Sequence, residues 1–385
     1  MSAKSICSGS ALLVICLGVQ LGFAQNTRSE EIQQKIAAKE ASLQPPQREA
    51  GDVIVSDFER IFMPQPPSLR LSLGDFRPGA GLAAGAAYDI PVMGTGLWTS
   101  EAAWSVHNFK QAGTRLHLPA FAHERLGVSA SLVWNDAPGL WFFGLGNTSS
   151  PADRVDYGLR STEARVQAEG QALSWFRYGG NVGYLDTRLE AGSPIVGLGA
   201  GPAWIQSGAF VAVDTRESPG YTRHGQLYRL SFNRYQDRDG KLNFNRTEVD
   251  LRQFIPVLHE NWVIAFQGRA DFVGSASGQP IPFFMLPALG GRDTLPGYAP
   301  YRFTDNDSLM LRSELRWFAS PVLDMAAIVD HGMVAPKPAD FNLRALHRDI
   351  GVGARFHGSM FTAFRLEIFH SVEGWHYNVA KSISF

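Results

Sequence analysis

Thiols are almost missing from this sequence. Cys7 and Cys16 are its only cysteines, and both fall within the first 24 residues. Past that point no disulfide, cysteine-held metal or thiol nucleophile can form. Charge bias is missing as well: a net charge of -1 over 385 residues offers no basic surface to nucleic acid. No uninterrupted apolar run of about 18 residues follows the N-terminus, so no helix is expected to cross a bilayer. Metal spacing is lacking too. His117 and His123, or His347 and His357, stand apart from acids in any ligand pattern. Asp237-Arg238-Asp239-Gly240 resembles the start of a calcium loop without its downstream ligands, and Asp-Gly is a hairpin signal. Gly197-x-Gly199-x-Gly201 opens no helix, and no Gly-x-Ser-x-Gly elbow occurs. These gaps predict a non-enzymatic chain with no cofactor, no metal and no catalytic residue.

What is present begins with an export signal. Residues 1–24 carry Lys4, an apolar core over 11–23 and a Gly22-Phe23-Ala24 end, which predicts a secretory signal peptide cut before Gln25. Cys16 follows Leu13-Val14-Ile15, which does not suit a lipoprotein. Residues 25–67 form a separate region. Over 29–43 a short helix is expected, N-capped by Ser29 and ended by Pro45-Pro46. Residues 51–63 are expected to dock or plug, so 25–63 is the candidate contact for a periplasmic partner. The region is too short for an ordinary folded domain.

From 68 to 385 the pattern changes to period two. Segments near 69–77, 80–90, 97–107, 112–119, 124–135, 160–171, 174–187, 201–213, 225–235, 244–254, 261–273, 309–318, 321–332, 347–357, 361–370 and 376–385 read as strands, about 16 in number. In 309–318, Leu309, Leu311, Leu315 and Trp317 share one face while Arg312, Glu314 and Arg316 share the other. In the next segment Leu323, Met325, Ala327 and Val329 oppose Asp324 and Asp330. Elsewhere Phe176, Tyr178, Val182 and Tyr184 oppose Arg177 and Asn181. Connections alternate between short and long, with 136–159, 188–200, 274–308 and 333–346 among the long ones and 214–224 an exception on the short side. With 25 Phe, 9 Trp and 10 Tyr to furnish interfacial girdles, an all-β, 16-stranded antiparallel transmembrane barrel is expected, its apolar face in lipid and its charges in a lumen. Arg165, Arg229, Arg252, Arg269 and Arg355, interleaved with Glu163, Glu248, Asp250, Asp271 and Glu367, then form either a solute path or structural salt-bridge ladders. The chain ends on Tyr377, Val379, Ile383 and Phe385. Tyr377, Ile383 and Phe385 suit the C-terminal signal that a barrel-assembly machinery reads.

One stretch carries a family resemblance. Gly290-Gly291, Leu295-x-Gly297-Tyr298, Arg302-Phe303, Glu314-x-Arg316 and Asp330-x-Gly332 resemble the BamA/TamA outer-membrane superfamily, the bacterial surface-antigen barrel also found in two-partner secretion transporters. Asp214-Thr215-Arg216 with Gly225, and Phe143-Gly144-Leu145-Gly146, are similar to further phrases of that family. The resemblance implies a 16-stranded barrel whose sixth extracellular loop, here about 274–308, folds back into the lumen. It also implies an Arg at the loop tip clamped by inward carboxylates. Glu314 and Asp330 match; the Arg does not, since Pro296 stands there. A buried carboxylate needs a cation, and Arg292, Arg302, Arg312 and Arg316 are the candidates, with Arg292 or Arg302 the expected pair. Periplasmic docking domains have no room in 25–67, so a short member lacking them is expected. The implied function is assembly or translocation at the outer membrane, working through the seam between first and last strands. The alternatives are a passive or gated solute channel plugged by the sixth loop and, third, a lipid-handling enzyme, which the missing catalytic constellation disfavours.

Overall fold

The computed structural model describes residues 66–73, 76–121, 126–190, 201–258, 261–275, 278–320, 322–357 and 362–380. The signal peptide, the 29–43 helix, the 51–63 segment, Ile383 and Phe385 lie outside the described residues. Within them the chain is a 16-stranded antiparallel transmembrane barrel. Its strands are β1 (Ser68–Leu73), β2 (Ala83–Val92), β3 (Gly96–Ser105), β4 (Lys110–Phe121), β5 (Leu126–Phe142), β6 (Val155–Leu173), β7 (Phe176–Leu189), β8 (Ala203–Asp214) and β9 (Gly225–Asp237). They continue as β10 (Phe244–Val257), β11 (Trp262–Gly274), β14 (Asp307–Ser320), β15 (Leu323–Ala335), β16 (His347–His357), β17 (Thr362–Ser371) and β18 (Gly374–Ala380). Between β11 and β14 two short strands, β12 (Ala288–Leu289) and β13 (Phe303–Thr304), make a separate ladder. Every wall strand pairs with its sequence neighbour, so the order runs straight from β1 to β18.

Exposure runs opposite to that of a soluble sheet. Along β14, Leu311, Leu315 and Trp317 are 39–44% exposed, whereas Arg312, Glu314 and Arg316 are at most 4% exposed. On β7, Tyr178, Val182 and Tyr184 are outward and exposed. Such a wall is stable only where hydrocarbon covers the apolar face, since a charge there costs roughly 2–4 kcal/mol near the midplane. Trp98, Trp104, Trp175, Trp375 and Tyr377 add outward aromatics of the kind that sit at membrane interfaces. The outward apolar alternation is thus the solvent-facing half of the fold, with lipid as solvent.

Two expectations of strand extent are corrected. β5 and β6 run to Phe142 and from Val155, well past the 135 and 160 expected. The ladder absorbs Pro138-Gly139 as an irregularity between Ala137 and Leu140. At the other end of the sheet, residues 80–82 belong to a connection and not to β2. The 74–82, 106–109, 143–154, 190–202, 238–243, 275–306, 336–346 and 372–373 connections share one rim, called here the loop rim. Those at 93–95, 122–125, 174–175, 215–224, 258–261, 321–322 and 358–361 share the opposite, turn rim.

Candidate functional site

The sixth connection on the loop rim, 275–306, turns back onto the wall. Its first arm brings a 3-10 turn, Phe283–Met285, against the loop-rim ends of several strands. The Phe283 ring lies 4.7 Å from that of Phe142 and 4.9 Å from that of Tyr157, and Phe284 lies 6.4 Å from Trp204. This is an aromatic gasket between loop and wall. Beneath it β12 pairs with β13, and Gly146 N–H donates to Thr304 O at 2.9 Å, which joins the third loop to the sixth.

The tip, 290–298, is a closed turn. Gly291 N–H is shared by the Leu295 and Tyr298 carbonyls, each at 3.1 Å, and Tyr298 N–H returns to Leu295 O. Gly290 and Gly291 have φ of 115° and 85°, a region where any other L residue is strained. A Cβ on Gly290 would lie 2.1 Å from Ala299 O. Leu295 and Tyr298 are buried with Leu289, Phe303, Met310 and Val334, so the loop carries its own small apolar core onto β14 and β15. Gly297 approaches the wall closely. Its N–H donates to Asp349 Oδ2 at 2.7 Å, and its carbonyl accepts from Ser371 Oγ at 2.5 Å. The Tyr298 hydroxyl, held up in pKa chiefly by burial, donates to Arg348 O at 3.1 Å.

The seat below the tip is ionic. Arg312 grips Asp330 through two hydrogen bonds of 2.7 and 2.8 Å and reaches Thr294 O of the loop at 3.2 Å. Glu314 takes Arg316 at 2.8 Å on one oxygen and Arg355 at 2.8 Å on the other. Glu367 lies 3.6 Å from both Arg355 and Arg365. Arg355 and Arg365 stand directly opposite each other in register, a repulsive pairing that the two glutamates offset. Further round the wall the expected mixed ladders are present: Arg165 with Glu163, Arg252 with Asp250, and Arg269 with Asp271.

The expected replacement for the missing loop arginine is corrected by these bonds. Arg302 pairs with Glu373 at 2.7 Å and donates to Ser149 O at 2.7 Å, between the Phe303 and Phe143 rings. Arg292 sits beside Asp293 at 3.2 Å. The cations at Glu314 and Asp330 come from the wall, as Arg312, Arg316 and Arg355. The physical reason is register: Arg312 and Asp330 are cross-strand partners on the same face. Pro296 is buried in the tip and fills the place without a charge. Sequence reasoning singled out Arg355 only as part of a lumen ladder and missed Asp349, Ser371 and the strap formed by Asn147 and Ser149. Asn147 accepts from Val334 N–H at 3.1 Å and donates to Ala345 O at 2.8 Å. The neighbouring 143–146 phrase was the available signal for that strap.

No family model and no curated protein matches the sequence. Solved structures do. A BamA from Haemophilus ducreyi lacking POTRA domains 1-3 superposes with a TM-score of 0.59 over 86% of this chain and 78% of that one, at 12% identity. The fold is that of a BamA-type barrel. CdiB from Escherichia coli matches with a TM-score of 0.57 over 84% of this chain and 69% of its own, at 11% identity. CdiB from Acinetobacter baumannii matches at 0.54 over 81% of this chain, at 13% identity, and the chain spans 59% of its length. At such identities the likeness is one of architecture. At the loop tip of this BamA-type barrel the wall pairs its own carboxylates, and the loop is held largely through peptide groups.

Proposed function

We propose that this chain is a short outer-membrane member of the BamA/TamA superfamily whose task is assembly or translocation of polypeptides at that membrane. The working element on this reading is the seam between β1 and β18. The observation that supports it is a lumen seated by its own loop beside a seam formed by the shortest described wall strands. Loop 275–306 is fastened to β14, β15, β16 and β17 and sealed by aromatics at the loop rim. β1 and β18, at the two ends of the sheet order, are the shortest described wall strands, with 6 and 7 residues. A short seam has few ladder bonds to break, and an edge opened in hydrocarbon costs several kcal/mol per orphan group, so it favours a partner strand. An incoming strand from a client satisfies it by edge addition. β2 supplies little apolar packing behind the seam, since its inward residues are Ala83, Gly85, Ala87 and Asp89.

On this proposal the loop rim faces outward, residues 25–63 meet a periplasmic partner, and Tyr377, Ile383 and Phe385 address the chain to the barrel-assembly machinery. A gated solute channel is the second reading, favoured by one observation. The lumen wall opposite the seated loop has a polar hollow of about 320 Å³, lined by residues including His117, Ser129, Gln167, Glu169 and Arg177. Depletion in cells separates the two. Folded outer-membrane proteins should fall several-fold with uptake of small hydrophilic solutes unchanged. Normal outer-membrane protein levels with reduced uptake would replace assembly by the channel reading.

A further inference from the structure

The turn rim has one long connection, 215–224, in a row of connections of two to four residues. Its length is not slack. Asp214 holds Arg177 at 2.6 Å and Arg216 at 2.9 Å, which fixes the base. Glu217 accepts from Arg223 N–H at 2.7 Å, Thr222 Oγ1 donates to Ser218 O at 2.6 Å, and Thr215 N–H donates to Gln226 O at 2.9 Å. Gly225, with φ of 102°, closes the base where a Cβ would meet Thr215 O at 2.4 Å. A loop so internally bonded keeps one shape.

That shape points across the lumen. The connection leaves β8 and returns to β9, yet its tip touches β14, β15 and β16, with β10 and β11 lying between in the sheet. The Tyr221 ring stacks on His357 at 4.0 Å and meets Phe318 edge-on at 5.7 Å. Its hydroxyl donates to Asp324 Oδ1 at 3.1 Å, and His357 Nε2 lies 3.0 Å from both that oxygen and the Tyr221 hydroxyl. Burial first, and the Asp324 carboxylate second, push the Tyr221 hydroxyl up in pKa, so it remains a donor. The Arg223 guanidinium caps the Phe318 ring at 4.3 Å. Above the tip, Arg316 of the ionic seat reaches Thr222 O at 3.5 Å.

We infer that the 215–224 turn is a second gate, which closes the lumen at the turn rim by lodging Tyr221 among Phe318, Asp324 and His357, independently of the sixth loop. The two closures meet neighbouring inward arginines of β14: the loop tip rests on Arg312 and the turn on Arg316, with Glu314 between them in sequence. Each therefore blocks a different end of the same sector, and displacing one leaves the other in place. This stands whether the seam or the lumen is the working path.

Conductance of the purified full chain in planar bilayers tests it. Four forms are compared: wild type, Tyr221→Ala, a sixth loop with 288–304 replaced by a short Gly-Ser linker, and the two changes combined. The combined form should give stable openings roughly tenfold larger than either single change, as expected when two barriers lie in series. A shortened loop that conducts as fully as the combined form overturns the second gate, and so does a combined form no more conductive than wild type. Should the shortened loop fail to fold, thiol labelling decides, with Cys7 and Cys16 replaced by serine. Thr222→Cys, at a buried position, should react with a membrane-impermeant maleimide far more slowly than Glu217→Cys, at an exposed position on the same turn. Tyr221→Ala should then raise its rate to that of Glu217→Cys. Equal rates for the two cysteines in the presence of Tyr221 overturn the proposal.

Discussion

Asp330→Ala is expected to prevent the chain from reaching a stable folded barrel. The Arg312 and Asp330 side chains are 1% and 0% exposed and share two short bonds. Removing one partner of a buried pair leaves the other charge uncompensated, which costs about 3–5 kcal/mol. That is a large part of the about 5–15 kcal/mol that holds a typical protein folded. Arg312 also reaches Thr294 O, so the loop loses part of its seat with the pair. Urea unfolding followed by tryptophan fluorescence, with heat-dependent gel mobility to report the folded barrel, measures the loss. Arg312→Leu combined with Asp330→Leu should recover most of it, because paired charges cost desolvation that two apolar side chains avoid. Asp156→Ala is the control: its pair with Arg154 is exposed on both sides, so about 0–1 kcal/mol is expected. A single Asp330→Ala as stable as that control would refute the ionic seat.

Gly297→Val is expected to release the sixth loop while leaving the wall folded. A Cβ at Gly297 would lie 2.5 Å from Asp349 Cβ, so the tip must back away. Retreat breaks the Gly297–Asp349, Ser371–Gly297 and Tyr298–Arg348 bonds together. Overpacking of this kind costs about 1–3 kcal/mol, less than the loss at Asp330. The wall tolerates it because Asp330 and Glu314 are paired by wall arginines and are not left bare when the loop goes. Protease added to reconstituted barrel should therefore cut within 288–304 at least roughly tenfold faster than in wild type, a change matched to that cost. Unchanged cleavage would show that the tip is not held where Gly297 meets Asp349.

Period-two alternation and the alternation of short with long connections made the barrel legible in the sequence, because lipid on one face and a polar lumen on the other demand both. The inward faces of Glu314 and Asp330 were legible for the same reason, since face follows from parity, whereas the loop tip was picked out by its family resemblance. Partner choice was not. Whether Asp330 meets Arg312 or Arg302 depends on which residues stand opposite across two strands, and parity carries no register. Glu314 shows this well, since its two cations come from its own strand and from β16. Asp349 and Ser371 gained their role only when the loop met them, and Tyr221 sits in a turn whose length was visible but whose direction was not. The extension of β5 past residue 135 was not legible, because Pro138-Gly139 is absorbed as an irregularity inside a long hairpin.

The most direct test of the seam is to lock it. Single cysteines at Leu69 or Leu71 of β1 are paired with single cysteines at Tyr377 or Val379 of β18, in a chain without Cys7 and Cys16, and oxidised in the membrane. Levels of folded outer-membrane proteins and of exported polypeptide are then followed with and without reductant. On the proposed assembly role, a locked seam should lower both levels to those of cells lacking the chain, and reduction should restore them. Full activity from a barrel whose seam is completely cross-linked would contradict it.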